Sequence, residues 1–176
     1  MILKILLGLV ALLGLVCLVA AFQPSTFRIE RSITVAAAPA ALFPRLNDLH
    51  QVHEWAPWKE KDPNCTYEFT GPAAGVGAAQ SWSGNSDVGA GKQTIVESRP
   101  NELVRLKLEF LKPFEAVCAA TYSLQPAGNQ TVVTWTMTGE NNFVGKVFCL
   151  FMNQDKMVGG EFEKGLAQLK RLAETK

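Results

Sequence analysis

The chain has 176 residues, enough for one domain with little left over. Its 17 basic and 16 acidic side chains nearly cancel, and setting Lys4 aside leaves sixteen against sixteen, which excludes a general electrostatic grip on nucleic acid. Hydrophobic residues make up 48%, high for a soluble domain, and the excess sits at one end.

That end is "ILLGLVALLGLVCLVAAF", Ile5 to Phe22, with no charged or strongly polar side chain. As a helix it would span about 27 Å, close to the hydrocarbon thickness of a bilayer. A cleaved signal and a retained anchor both fit. Val19-Ala20-Ala21 offers small residues for a cut, while the length of the run exceeds a typical signal core and favours the anchor. Lys4 and the terminal amine ahead of the run favour a translocated, extracytoplasmic domain; Arg28 and Arg31 just behind it pull the other way. The expected organisation is a single-pass transmembrane anchor over residues 1–22, a linker over 23–26 and one folded domain over 27–176.

"FRIERSITV" alternates as a half-buried strand, with Phe27, Ile29, Ile33 and Val35 on one side and Arg28, Glu30, Ser32 and Thr34 on the other. Pro39 is placed to open a helix, and Pro44 with Asn47-Asp48 predicts two short helices rather than one. In "HEWAPWKEKDPN", Pro57 and Pro63 turn the chain back. Trp55 and Trp58 there want burial for their rings and partners for their indole N–H groups, which suits the rim of an apolar chamber. His50 and His53 lie three apart, but no third histidine exists to complete a metal site, so no metal is expected.

From Thr66 to Gly139 six strand-like runs follow, separated by Gly-rich or turn-forming pieces, which implies an antiparallel meander. The alternation assigns an inward set that includes Tyr67, Phe69, Gln80, Trp82, Gln93, Ile95, Leu106, Leu108, Phe110, Cys118, Tyr122, Trp135 and Met137, against an outward set of Thr, Lys, Arg and Glu. "GAGKQT" is not a phosphate loop, because Ala90 stands where the lysine belongs. Asn142 to Glu174 is helical in pattern; Val158, Phe162, Leu166 and Leu169 share one stripe, and Gly159, Gly160 and Gly165 suggest a close approach. The cysteines, Cys17, Cys65, Cys118 and Cys149, have no C-x-x-C spacing and no redox or zinc motif.

One strand, two short helices, six strands and a long terminal helix is the element order of the helix-grip fold. "RSITVAAAPAALFPRLNDLHQVHEWAPW", "GVGAAQSWSGN", "LEFLKPFEA", "TVVTWTM" and "FEKGLAQLK" resemble segments of the SRPBCC superfamily, in its polyketide cyclase/dehydrase and lipid-transport branch, over about Phe27 to Lys170. The resemblance implies an α+β domain, a curved seven-stranded antiparallel sheet wrapped around the C-terminal helix. It also implies a START-like apolar cavity for a hydrophobic small molecule or lipid. Residues expected to contact that ligand are Trp55, Trp58, Gln80, Trp82, Gln93, Leu108, Phe110, Tyr122, Trp135 and Phe162, with Glu97 near the mouth. A cyclase or dehydratase on a hydrophobic substrate, and a scaffold with a filled core, are the alternatives. No catalytic residue and no cofactor is assigned, and the oligomeric state stays open.

Overall fold

The computed structural model describes residues 2–175, with side chains at all of these except 2, 3, 5, 11 and 12. Helix α1 (Ile2–Ala21) precedes strand β1 (Thr26–Val35). Short helices α2 (Pro39–Asn47), α3 (Leu49–Trp55) and α4 (Trp58–Lys61) follow. Then come β2 (Thr66–Thr70), β3 (Ala79–Ser83), β4 (Ala90–Arg99), β5 (Leu103–Lys112), β6 (Ala116–Ala127) and β7 (Gln130–Glu140). Helices α5 (Phe143–Phe151) and α6 (Gln154–Glu174) close the chain. The seven strands form one antiparallel sheet in the order β1-β7-β6-β5-β4-β3-β2, a meander whose first strand joins at the far edge.

Among the described residues no helix is found that is long and apolar enough to cross a membrane. The span expected from Ile5 to Phe22 takes in positions 5, 11 and 12, which lie outside the described side chains.

Pro44 does not break α2. The break falls one turn later, at Asp48, whose carboxylate accepts from the His50 N–H and so caps α3. The expected single terminal helix is two helices, because Asn142 caps α5 and Asn153 caps α6, each through its side-chain oxygen on an N–H three residues on.

The register confirms the inward set. Phe27, Gly139, Cys118, Leu108, Gln93, Gln80 and Phe69 form one row across the concave face; Ile29, Met137, Ala120, Leu106 and Ile95 form the next. Arg31 also lies on this face, in register with Trp135 and Tyr122. Its guanidinium reaches α6, binding Asp155 at 2.9 Å and Glu163 at 2.6 Å. Farther along, Lys170 donates to the Thr34 carbonyl at 2.8 Å, and the Ala36 N–H donates to Glu174 at 2.6 Å. These bonds stitch α6 to β1. It therefore packs on β1, β7 and α3 and leaves the β3–β5 side of the concave face to other cover.

Candidate functional site

The aromatic residues expected to line a chamber meet one another instead. Trp135 stacks on Phe162 of α6 at 3.9 Å between ring centroids. Trp55 stands edge-on to both Trp135 and Tyr122, each at 5.5 Å, and Tyr122 lies 5.3 Å from Trp135. Trp55 is 0% exposed and donates its indole N–H to the Arg45 carbonyl at 3.0 Å. It is a core residue and not a rim or gate, because α3 delivers it beneath α6. Gly165 makes this possible: a Cβ there would lie 3.0 Å from the Trp135 ring and 3.1 Å from Pro57. Trp58 is only half-buried, at the start of α4. The rest of that segment is structural, since buried Asp62 accepts from the N–H groups of Asn64 and Asn85 and so ties α4 to the β3–β4 turn.

The centre beneath α6 is thus filled by Trp55, Tyr122, Trp135 and Phe162. The larger concavity, about 870 Å³, lies elsewhere, open and mainly on the convex side, with Arg28, Lys107 and Val117 in its wall. A smaller one of about 100 Å³ lies between His50, Phe69 and Ala78. Neither is the apolar chamber beneath α6 that the family resemblance implies.

The other expected residues form a different surface. Trp82, Gln93, Leu108 and Phe110 lie on the concave face toward the β5–β6 turn, each half-buried, with Phe27 and Met137 beside them on the β1–β7 side. Two glycines shape this shelf. Trp82 lies over Gly91 and Phe27 over Gly139, where any Cβ would fall within 3 Å of the ring. The rings therefore lie flat on the sheet rather than standing up from it. Trp82 meets Phe110 edge-on at 5.7 Å and donates to the Val88 carbonyl at 3.3 Å. Gln80 is buried and accepts a hydrogen bond from the Gln93 amide, so two amides sit at the back of an apolar shelf. Beneath α6 the Trp135 indole N–H is buried and has no hydrogen-bond partner among the described residues.

Among the described residues, the ionisable neighbours of the shelf on the concave rows are Arg31, Tyr67, Cys118 and Tyr122. Arg31 is committed to α6. Burial pushes the Tyr122 phenol and the Cys118 thiol up, so both stay protonated at neutral pH and neither is a ready base or nucleophile. Glu97, expected near the mouth, points outward. A register shift between Ile95 and Glu97 turns it onto the convex face, where it binds Arg105 at 2.7 Å. The histidines serve packing: His50 stacks on Phe69 at 3.8 Å, and His53 stands edge-on to Tyr67 at 4.3 Å.

Arg31 is the residue that sequence reasoning passed over. Its position in the Phe27–Val35 alternation was the available signal, a charge in an otherwise apolar inward series.

The sheet order and the α6 grip define a helix-grip domain. The chain belongs to the polyketide cyclase/dehydrase and lipid transport family, whose model matches residues 26–174. Similar solved structures include protein CV1439 from Chromobacterium violaceum, at 17% identity and TM-score 0.60, covering 87% of this chain and all of that one. The Aha1 dimer from Colwellia psychrerythraea is similar at 18% identity and TM-score 0.59, covering 84% and 96%. The di-domain ARO/CYC StfQ of the steffimycin biosynthetic pathway is similar at 13% identity and TM-score 0.61, covering 85% of this chain and 51% of that one. At these identities the likeness speaks for the fold alone. No curated protein matches the chain.

Proposed function

We propose that the chain is a membrane-anchored binding module that takes a hydrophobic small molecule or lipid on the uncovered part of its concave face. The observation that carries this reading is the half-buried state of Phe27, Trp82, Leu108 and Phe110, apolar groups on a face that α6 covers elsewhere. Covering such area favours a ligand by about 25 cal/mol per Å². The Gln80–Gln93 pair supplies both an amide donor and an acceptor for a polar end of the ligand. Trp55, Tyr122, Trp135 and Phe162 fill the core beneath α6 and are withdrawn from direct contact.

The anchor part of the proposal rests on α1. Its twenty residues extend about 30 Å, and described side chains such as Leu9 and Leu13 are two-thirds exposed, at 65% and 66%. Tethering would keep the shelf near the bilayer, where apolar ligands concentrate.

The test uses the full chain, extracted gently from membranes, with native mass spectrometry to identify what it retains. Reconstitution with a diazirine-bearing fatty acid then maps contacts. Adducts are expected on the β3 and β5 peptides carrying Trp82, Leu108 and Phe110. Phe110→Ala should weaken retention roughly 5- to 30-fold, the equivalent of about 1–2 kcal/mol, with an unchanged circular dichroism spectrum. An empty chain, with adducts no denser on these strands than on the outward face, would return the domain to a scaffold role.

A further inference from the structure

We infer that α5 and the β5–β6 turn form a second, interfacial contact with the bilayer, so that this end of the sheet rests on the lipid headgroups. The inference rests on the reading of α1 as a membrane anchor.

Outside α1 and Phe22, eleven large apolar side chains are exposed among the described residues. Eight of them sit on the β5–β6 hairpin, on α5 or just after it; Met157 lies in the first turn of α6, and Val76 and Val96 lie elsewhere. Phe148 is 46% exposed, Phe151 73%, Phe114 66% and Leu111 59%. The β4–β5 and β6–β7 turns at the opposite end carry Asn101, Glu102, Gly128 and Asn129 instead. The apolar groups converge because the register brings their elements to one end. Phe110 pairs with Ala116 at the hairpin tip, Thr26 pairs with Glu140 where β1 begins, and α5 starts just beyond β7.

Three facts select a bilayer as the occupant. First, α5 has no buried residue, so its apolar side chains are not spent on this domain's own core. Second, α1 packs against α5, which makes the two apolar surfaces continuous. Third, only Phe22 to Ser25 separates α1 from β1, four residues that reach at most about 14 Å. With α1 in hydrocarbon, this end cannot stand far from the interface. The charges fit as well: Lys146 on α5 and Lys112 at the hairpin have long stems that can bury beside lipid while their ammonium groups reach headgroups.

The full chain is reconstituted in nanodiscs of ordinary or brominated phosphatidylcholine, and tryptophan emission is compared among wild type, L13W, F148W and N129W. The expected result is that L13W and F148W each lose to bromine an emission component that wild type lacks, while N129W at the far end does not. Quenching of L13W but not F148W overturns the inference and leaves the anchor standing. Loss of neither removes both. Quenching of F148W alone removes the anchor but upholds the interfacial contact. A blue-shifted, unquenched F148W means that protein, such as a second copy, covers α5, and overturns the inference.

Discussion

Three glycines on α6 have one chemistry and three environments. A Cβ at Gly160 would meet nothing within 4 Å, whereas at Gly165 it would press on Trp135 and Pro57. Gly160→Ala should therefore stabilise the domain by about 0.5–1 kcal/mol, the ordinary helix-interior gain. Gly165→Ala makes the same backbone gain but overpacks a full core, and should destabilise by roughly 1–3 kcal/mol. Urea midpoints of the two variants, measured side by side, check the contrast; equal shifts would mean the aromatic core yields easily. His53 gives a residue-scale pH prediction. Burial holds its imidazole below the ordinary value of about 6.5, assisted by Lys59 and His50 and opposed by Glu54. The unfolded chain then binds the proton more readily than the folded one. Stability contributed by neutral His53 is complete above about pH 6.5 and is lost as pH falls below it. Thermal midpoints between pH 7 and pH 5 should fall less in His53→Gln than in wild type. At this scale the inward alternation was legible for its apolar members but missed Arg31, and what stands in front of each residue was not legible. Trp55 and Trp82 are the same residue type beside the same chamber-like face, and only the path of α3 makes one core and the other shelf.

The elements were legible where glycine-rich or turn-forming runs separated them. Asn142 and Asn153 are N-caps hidden inside a continuous helical stripe, so periodicity alone joined α5 to α6. Pro44, with Asn47-Asp48, was read as a breaker, yet α2 carries Pro44 as its sixth residue and ends only at Asn47. The bulge beside Ile95 left no mark that sequence reasoning used, and it reversed the side on which Glu97 emerges. The two caps differ in what they protect. Asn153 accepts from the Lys156 N–H at 2.8 Å and begins the helix that β1 holds, so Asn153→Ala should cost about 1 kcal/mol of global stability. Asn142 accepts from the Gly145 N–H, also at 2.8 Å, but α5 buries none of its side chains. Asn142→Ala should leave the global midpoint nearly unchanged and instead speed amide exchange over residues 143–151. Exchange read by mass spectrometry in detergent separates local loosening of α5 from global unfolding.

For the molecule as a whole, the fold fixes which end of the domain lies nearest α1; if α1 anchors the chain as proposed, the side of the membrane that the domain occupies is a separate choice. That choice is made on the nascent chain, from cations flanking the apolar run. Lys4 and the terminal amine lie ahead of it; Arg28 and Arg31 lie behind. The pairing of Arg28 with Glu30, and of Arg31 with Asp155 and Glu163, comes only with folding, and acidic residues weigh little in the rule, so these partners do not cancel the two arginines during insertion. The balance is therefore narrow, and Lys4 holds much of it. A reporter exists at the β6–β7 turn: Gly128 has φ +63°, nothing lies within 4 Å of where its side chain would be, and the turn is at the end of the sheet away from α1. A protease site inserted after Gly128 should be cut by protease added outside intact cells from which any outer barrier has been removed, as expected for a translocated domain. In the same chain Lys4→Glu leaves Arg28 and Arg31 as the cations nearest the run. A substantial fraction should then retain the domain inside and resist cutting until the membrane is opened. Complete protection in the unaltered chain would reverse the expected side, and identical cutting with and without Lys4 would show that flanking charge does not decide it.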